Sequence, residues 1–223
     1  MAQSNNDCLK EVVALEEKNN YSNDTSITNK NIFISYSVKV TDWDDQIVVS
    51  NTKIYKKNEY MHFFSEQANI YQDAKEAVMI LPQQRVAIIN STNKELLNTK
   101  INDAFFDMRR KFIDSCEVVR CDNVGKIKTL ELKVKKNDGS HNIASMIYEY
   151  DTDLGKILFV KINYNKDFKV KQIQINYKDF NLNSTYQFAS ARKYLVDNNG
   201  KLLPKLKGYE FVDNRDQKKK NKK

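Results

Sequence analysis

The chain is poor in the residues that usually carry catalysis and in those that interrupt regular structure. In 223 residues it has two histidines, three cysteines, one tryptophan, two prolines and five glycines. His62 and His141 fall in separate stretches without paired spacing, so they offer no metal-ligand pattern. The scattered glycines leave no glycine-rich loop to cradle a phosphate. There is no Gly-x-Ser-x-Gly and no cysteine in a protease-like context, so a nucleophile would lack its base and its oxyanion donor. The expectation is a protein that is not an enzyme and needs no cofactor or metal. No run approaches the roughly 20 apolar residues of a membrane-crossing helix. The first residues, Met1-Ala2-Gln3-Ser4-Asn5-Asn6, lack the apolar core of a secretory signal.

What the chain does have is aromatic bulk and alternation. Tyr and Phe together supply much of the apolar mass, which suits a pleated sheet better than a helix bundle. The length fits one β-rich domain or two small ones. We read one domain over residues 1–213, followed by a lysine-rich, solvated tail at 214–223. That tail carries six Lys/Arg against one Asp, about +5 of the formal +8, and it can touch anionic surfaces. The remaining lysines are interleaved with Asp and Glu, and no aromatic–basic segment of an RNA-recognition sheet is present. No specific nucleic-acid partner is expected.

Residues 7–17 carry Leu9, Val12 and Val13 in a short amphipathic helical pattern, which needs a packing partner to persist. Ile32, Ile34, Tyr36, Val38 and Val40 then alternate with polar residues, a period of two that predicts a strand. Further short strands are predicted at 47–56, 60–64, 68–72, 77–81 and 85–89. Their polar punctuation favours antiparallel hairpins over βαβ units. Asp42, Asp44 and Asp45 cluster at the first hairpin tip, where they read as turn formers before they read as a calcium site.

Residues 92–112 divide this run from a second one. Thr92-Asn93-Lys94-Glu95 has the form of a capping box, and Leu97, Ile101, Ala104, Phe105, Met108 and Phe112 follow at helical spacing. Strand patterns resume from Leu130 and continue to Tyr177, with apolar residues on one face and polar ones on the other, as in a one-sided antiparallel sheet. Asn137-Asp138-Gly139-Ser140 reads as a turn. A short helix is expected over 184–195 and an edge strand near Tyr209 and Phe211. Cys116 and Cys121 either close a small disulfide loop or remain two thiols, and Cys8 has no evident partner in the sequence. A one-sided sheet of this length leaves a wide apolar face. Its central helical cover makes either a filled core or a cavity for an apolar ligand.

This order of elements resembles the LolA/LolB superfamily of periplasmic lipoprotein-binding proteins. The matching pieces are residues 7–17, 32–89, 92–112 and 130–177. Ser50-Asn51-Thr52-Lys53-Ile54-Tyr55-Lys56-Lys57, with Tyr60 after it, is similar to the early hairpin of exported LolA-like proteins of Bacteroidetes. Ala2-Gln3 is similar to their mature start. The resemblance implies an α+β fold: a curved antiparallel sheet forming an incomplete β-barrel, covered by an N-terminal helix and a central amphipathic helix. It implies a periplasmic location, against the alternative of a cytoplasmic chain. It also implies an acyl chain or lipoprotein-type ligand held between Ile34, Tyr36 and Val38 on the sheet and Leu97, Ile101, Phe105 and Met108 on the lid. The alternative is a structural or interaction subunit of an envelope assembly, with a filled core and a protein partner.

Overall fold

The computed structural model describes residues 5–19, 30–92, 113, 115–135 and 142–215. The chain opens with α1 (Asn5–Asn19) and continues with β1 (Ile32–Asp42), β2 (Ile47–Lys57), β3 (Tyr60–Phe64), β4 (Asn69–Gln72), β5 (Glu76–Leu81) and β6 (Val86–Ser91). A second run holds β7 (Cys116–Val124), β8 (Ile127–Val134), β9 (Ile143–Asp151), β10 (Lys156–Tyr164) and β11 (Val170–Asn181). Two 3-10 turns, Ala191–Tyr194 and Pro204–Leu206, then lead to β12 (Glu210–Asp213).

The hydrogen-bonded strand order is β12-β6-β5-β4-β3-β2-β1-β11-β10-β9-β8-β7. Among the described residues the order has two ends, so the sheet is open and not closed into a barrel. Runs β2–β6 and β7–β11 are antiparallel meanders, and β12 lies parallel to β6. Short polar turns make this possible. Asp42 accepts hydrogen bonds from the backbone N–H groups of Asp44 and Gln46, and Asp45 and Asn58 take positive φ of 59° and 52° at their hairpin tips, a conformation Asp and Asn tolerate. The aspartates at the first tip are turn formers in this structure, and Asp45 also pairs with Lys171.

The chain forms two compact units. The first comprises Met1–Thr25, Tyr36–Ser50 and Thr99–Lys178. In it α1 presents Cys8, Val12 and Glu16, one residue per turn, to a core of Leu130, Leu132, Met146, Tyr148, Tyr150 and Val160. Each fully buried large side chain of this kind stabilises by about 1.5–3 kcal/mol. Polar groups fix the helix in place. The Tyr148 hydroxyl donates to Glu16 at 2.9 Å, while Glu11 accepts from Tyr150 at 2.8 Å and from the Lys128 ammonium at 2.8 Å. Burial, helped by the Glu11 charge, pushes the Tyr150 phenol well above its usual range. A disulfide joins Cys8 to Cys121, with Cα atoms 6.3 Å apart. This corrects the sequence reading, in which Cys116 was the candidate partner of Cys121. Cys116 is buried in the core cluster instead, and its spacing to Cys121 along one strand says nothing about what packs above.

The other face of this unit's sheet is largely polar. Asn163 donates to Ser145 at 2.8 Å, Gln172 donates to Asn163 at 2.9 Å, and Gln174 donates to Gln172. The result is the one-sided sheet that the alternation of residues 130–177 predicts.

The second unit comprises Ser26–Ser35, Asn51–Asn98 and Asp179–Lys223. Its core is Tyr71, Val78, Ile80, Ala87 and Ile89 under Ala191, Leu195 and Leu206. The expected helix over 184–195 is a single 3-10 turn at Ala191–Tyr194. Residues 184–190 form an irregular strap whose aromatic side chains pack on the strands. Of the expected central helix over 92–112 all but Thr92 lies outside the described residues, as do the turn at 137–140, His141 and the tail beyond Arg215.

Candidate functional site

The sequence-predicted wall residues Ile34, Tyr36 and Val38 stand on β1, each half-buried. Tyr36 meets Tyr177 of β11 with ring centroids 6.0 Å apart. Leu97, Ile101, Phe105 and Met108 lie outside the described residues.

Strand register in the second unit shows what its sheet offers on each side. Residues directly opposite in paired strands share a face. One such row runs Tyr55, His62, Tyr71, Val78 and Ile89 across β2 to β6. The strap covers it: Tyr186 stacks on Tyr55 at 3.9 Å, Tyr194 stacks on Tyr71 at 3.8 Å, and Phe188 meets the His62 ring at 5.0 Å. His62 is fully buried, with Nδ1 2.9 Å from the Tyr186 hydroxyl. Burial lowers its pKa to about 4, offset only in part by the Ala189 backbone, so the ring is neutral near pH 7. No carboxylate is bonded to it. It is an aromatic packing group rather than an acid–base one.

Asp73 holds the strap to this face. Its carboxylate accepts from the backbone N–H groups of Lys75, Glu76 and Ala191 at 2.8, 3.0 and 2.8 Å. Desolvation works against the charge, yet these donors and Lys75 outweigh it and hold the carboxyl below its usual range.

The opposite side of the same strands carries a second row: Ile54, Phe63, Ile70, Met79 and Ile88 on β2 to β6, continued by Val212 on β12. All are half-buried. Phe33 stacks on Tyr55 at 4.7 Å on the strap side, so Ile34, one residue on, shares the side of Ile54 by strand alternation. Beside this row runs another of mixed chemistry: Lys56, Met61, Gln72, Ala77 and Asn90. Among the described residues no core cluster or ring contact covers the apolar row. The side chains here can supply apolar contact and N–H donors, and no nucleophile with an orienting base stands among them.

Apart from Ile34, these residues were missed in the sequence reading, which assigned one apolar face to each sheet. A signal was present. Phe63-Phe64, Ile70-Tyr71, Val78-Met79-Ile80-Leu81 and Ile88-Ile89 are continuous apolar runs, the mark of strands apolar on both sides.

No protein-family model matches the sequence, and no curated protein matches it. Solved structures give distant backbone similarity. One is an uncharacterized conserved protein from Thermus thermophilus, at 8% identity and TM-score 0.42, covering 89% of this chain and 99% of that one. Another is a LolA superfamily protein from Nitrosomonas europaea, at 9% identity and TM-score 0.31, covering 78% and 94%. A third comes from the MucA/MucB complex of Pseudomonas aeruginosa, at 11% identity and TM-score 0.34, covering 85% and 63%.

Proposed function

We propose that this protein is a non-catalytic periplasmic binding protein that carries an acyl chain or lipoprotein-type apolar ligand on the second face of the β2–β6 sheet. The observation that carries this reading is the row Ile54, Phe63, Ile70, Met79, Ile88 and Val212, an apolar surface running over six strands. These side chains are half-buried and belong to no core cluster among the described residues, which suits one wall of a site for an apolar ligand. Ile34 belongs to it. Tyr36 and Val38 follow on the same strand, and Leu97, Ile101, Phe105 and Met108, the lid residues of the sequence reading, lie outside the described residues. The Cys8–Cys121 disulfide supports an oxidising compartment, since such bonds are rare in reducing cytosol. The element order, a helix and two runs of strands, follows the one implied by the LolA/LolB resemblance.

Native mass spectrometry of the purified protein, followed by organic extraction and lipid analysis, tests the reading. A co-purifying acyl ligand is expected, lost in the double variant Ile70→Asp/Met79→Asp while circular dichroism keeps its sheet signal. A clean apo mass with no uptake of added fatty acid or lipopeptide overturns it.

A second reading, an interaction subunit of an envelope assembly, is favoured by a different feature. Ile47, Val48 and Val49 are consecutive on β2 and 54%, 59% and 54% exposed. Pairing with β3 begins only at Lys53. A strand edge of that kind can take up a partner strand. Stable capture of one protein partner by apo protein, abolished by Val48→Lys, is the outcome that would favour it.

A further inference from the structure

The second face of the β2–β6 sheet is not uniformly apolar, and its exception is chemically specific. In the row beside Ile54, Phe63 and Ile70, Lys56 stands on β2 and Gln72 on β4, separated by Met61 on β3. Strands lie about 4.8 Å apart, so the two backbones are roughly 10 Å from each other. Gln72 Nε2 is buried and has no hydrogen-bond partner. Lys56 is half-buried, and among the described residues its ammonium is joined to no carboxylate. Desolvation lowers its pKa.

Neither arrangement helps the fold. A buried amide N–H without an acceptor and a partly desolvated ammonium without a counter-charge both cost stability, and native proteins rarely keep such groups without a use. Both groups offer donors: an ammonium has three and no acceptor, and the amide nitrogen has two. Their complement is a compact, acceptor-rich anion, a carboxylate or a phosphate. The apolar row lies two residues further along the same strands, about 7 Å away.

We infer that Lys56 and Gln72 form the head-group end of the ligand site, holding the anionic terminus of an acyl ligand whose chain lies along Ile54, Phe63 and Ile70. This rests on the binding reading above and adds the polarity and orientation of the ligand. It makes the preferred class an anionic amphiphile rather than a neutral hydrocarbon or ester.

The test uses delipidated full-length protein and three probes of one chain length in equilibrium dialysis: palmitate, hexadecyl phosphate and hexadecanol. Wild type is expected to bind at least one anion about tenfold or more tighter than hexadecanol, the scale of a charge-assisted contact. Whichever anion binds tighter identifies the head group as carboxylate or phosphate. Lys56→Met replaces the ammonium with an apolar side chain of similar length. It should bring the preference within about threefold while hexadecanol affinity is retained. Gln72→Leu should reduce the preference in part, and Lys56→Arg should keep it. Equal binding of all three probes by wild type, or an undiminished anion preference in both Lys56→Met and Gln72→Leu, overturns the head-group assignment and leaves the apolar site standing. Failure of wild type to take up any probe overturns both.

Discussion

The two units solve the problem of covering a sheet differently. In the first, one face is apolar and lies under α1, and the other carries a ladder of Asn, Gln and Ser side chains that satisfy one another. In the second, the strap covers an aromatic face while the opposite face repeats the apolar composition with Ile54, Phe63, Ile70, Met79 and Ile88. A sheet with one apolar and one polar face is complete once a helix has docked. A sheet apolar on both sides needs a second cover, and that need is why the proposed ligand is assigned to the second unit. The fastening differs too: the helix of the first unit is tied covalently, and the strap of the second is held by non-covalent contacts, the Asp73 carboxylate among them.

This contrast can be broken most directly at the covalent tie. Cys121→Ser removes a bond that closes a span of 113 residues, and should cost about 4–5 kcal/mol. Hydrogen exchange should rise in α1 and β7–β10 and stay low in β3–β6; a uniform rise would show that the two fastenings are not independent. Next in size is Asp73→Ala, which strips three backbone donors of their acceptor and leaves the Ala191 N–H buried without one. A loss of about 3–4 kcal/mol is expected, with exchange rising in residues 184–196. A loss below about 1 kcal/mol, the scale of a single ordinary hydrogen bond, would remove Asp73 as the fastening of the strap.

The smallest expected effect is that of acid. His62 titrates near 6.5 when unfolded and at about 4 in the fold, so the unfolded chain takes up its proton first. Its contribution is complete above pH 6.5 and declines as the pH falls towards 4, by roughly 3 kcal/mol, then stays flat. Asp73, with its carboxyl held below its usual range, adds a loss at lower pH as it takes up a proton. Urea unfolding across pH 7 to 4 should therefore weaken the second unit before the first. His62→Phe should flatten the slope in that window, and an unchanged slope would assign the acid sensitivity elsewhere.

Much of the strand framework was legible from alternation. Residues 32–40 and 143–150 show their period plainly, and in the second case one side of the strand, with Met146, Tyr148 and Tyr150, meets a packed core. β7 was not predicted as a strand, since a register shift between Val118 and Arg120 breaks its alternation; Val118 packs inward while Val119 is 47% exposed. The partner of Cys8 was hidden because a helix from the N-terminus reaches β7 only through the tertiary fold. Three of the predicted site residues stand on β1, and Ile34 joins the apolar row. The rest of that row was overlooked for a physical reason: residues facing opposite ways in neighbouring strands merge into runs such as Val78-Met79-Ile80-Leu81, where a second face reads as one thick core.

The Cys8–Cys121 bond also imposes an order of events on biosynthesis. Cys8 emerges first, and the next thiol to follow it is Cys116, ahead of its true partner. Oxidation in order of appearance would therefore join Cys8 to the wrong sulfur. Once β7 and β8 are in place, Cys116 is buried in the core that α1 packs against, and Cys121 is the sulfur bonded to Cys8. A chain that oxidises faster than its second run of strands assembles is trapped, and thiol exchange becomes its way out.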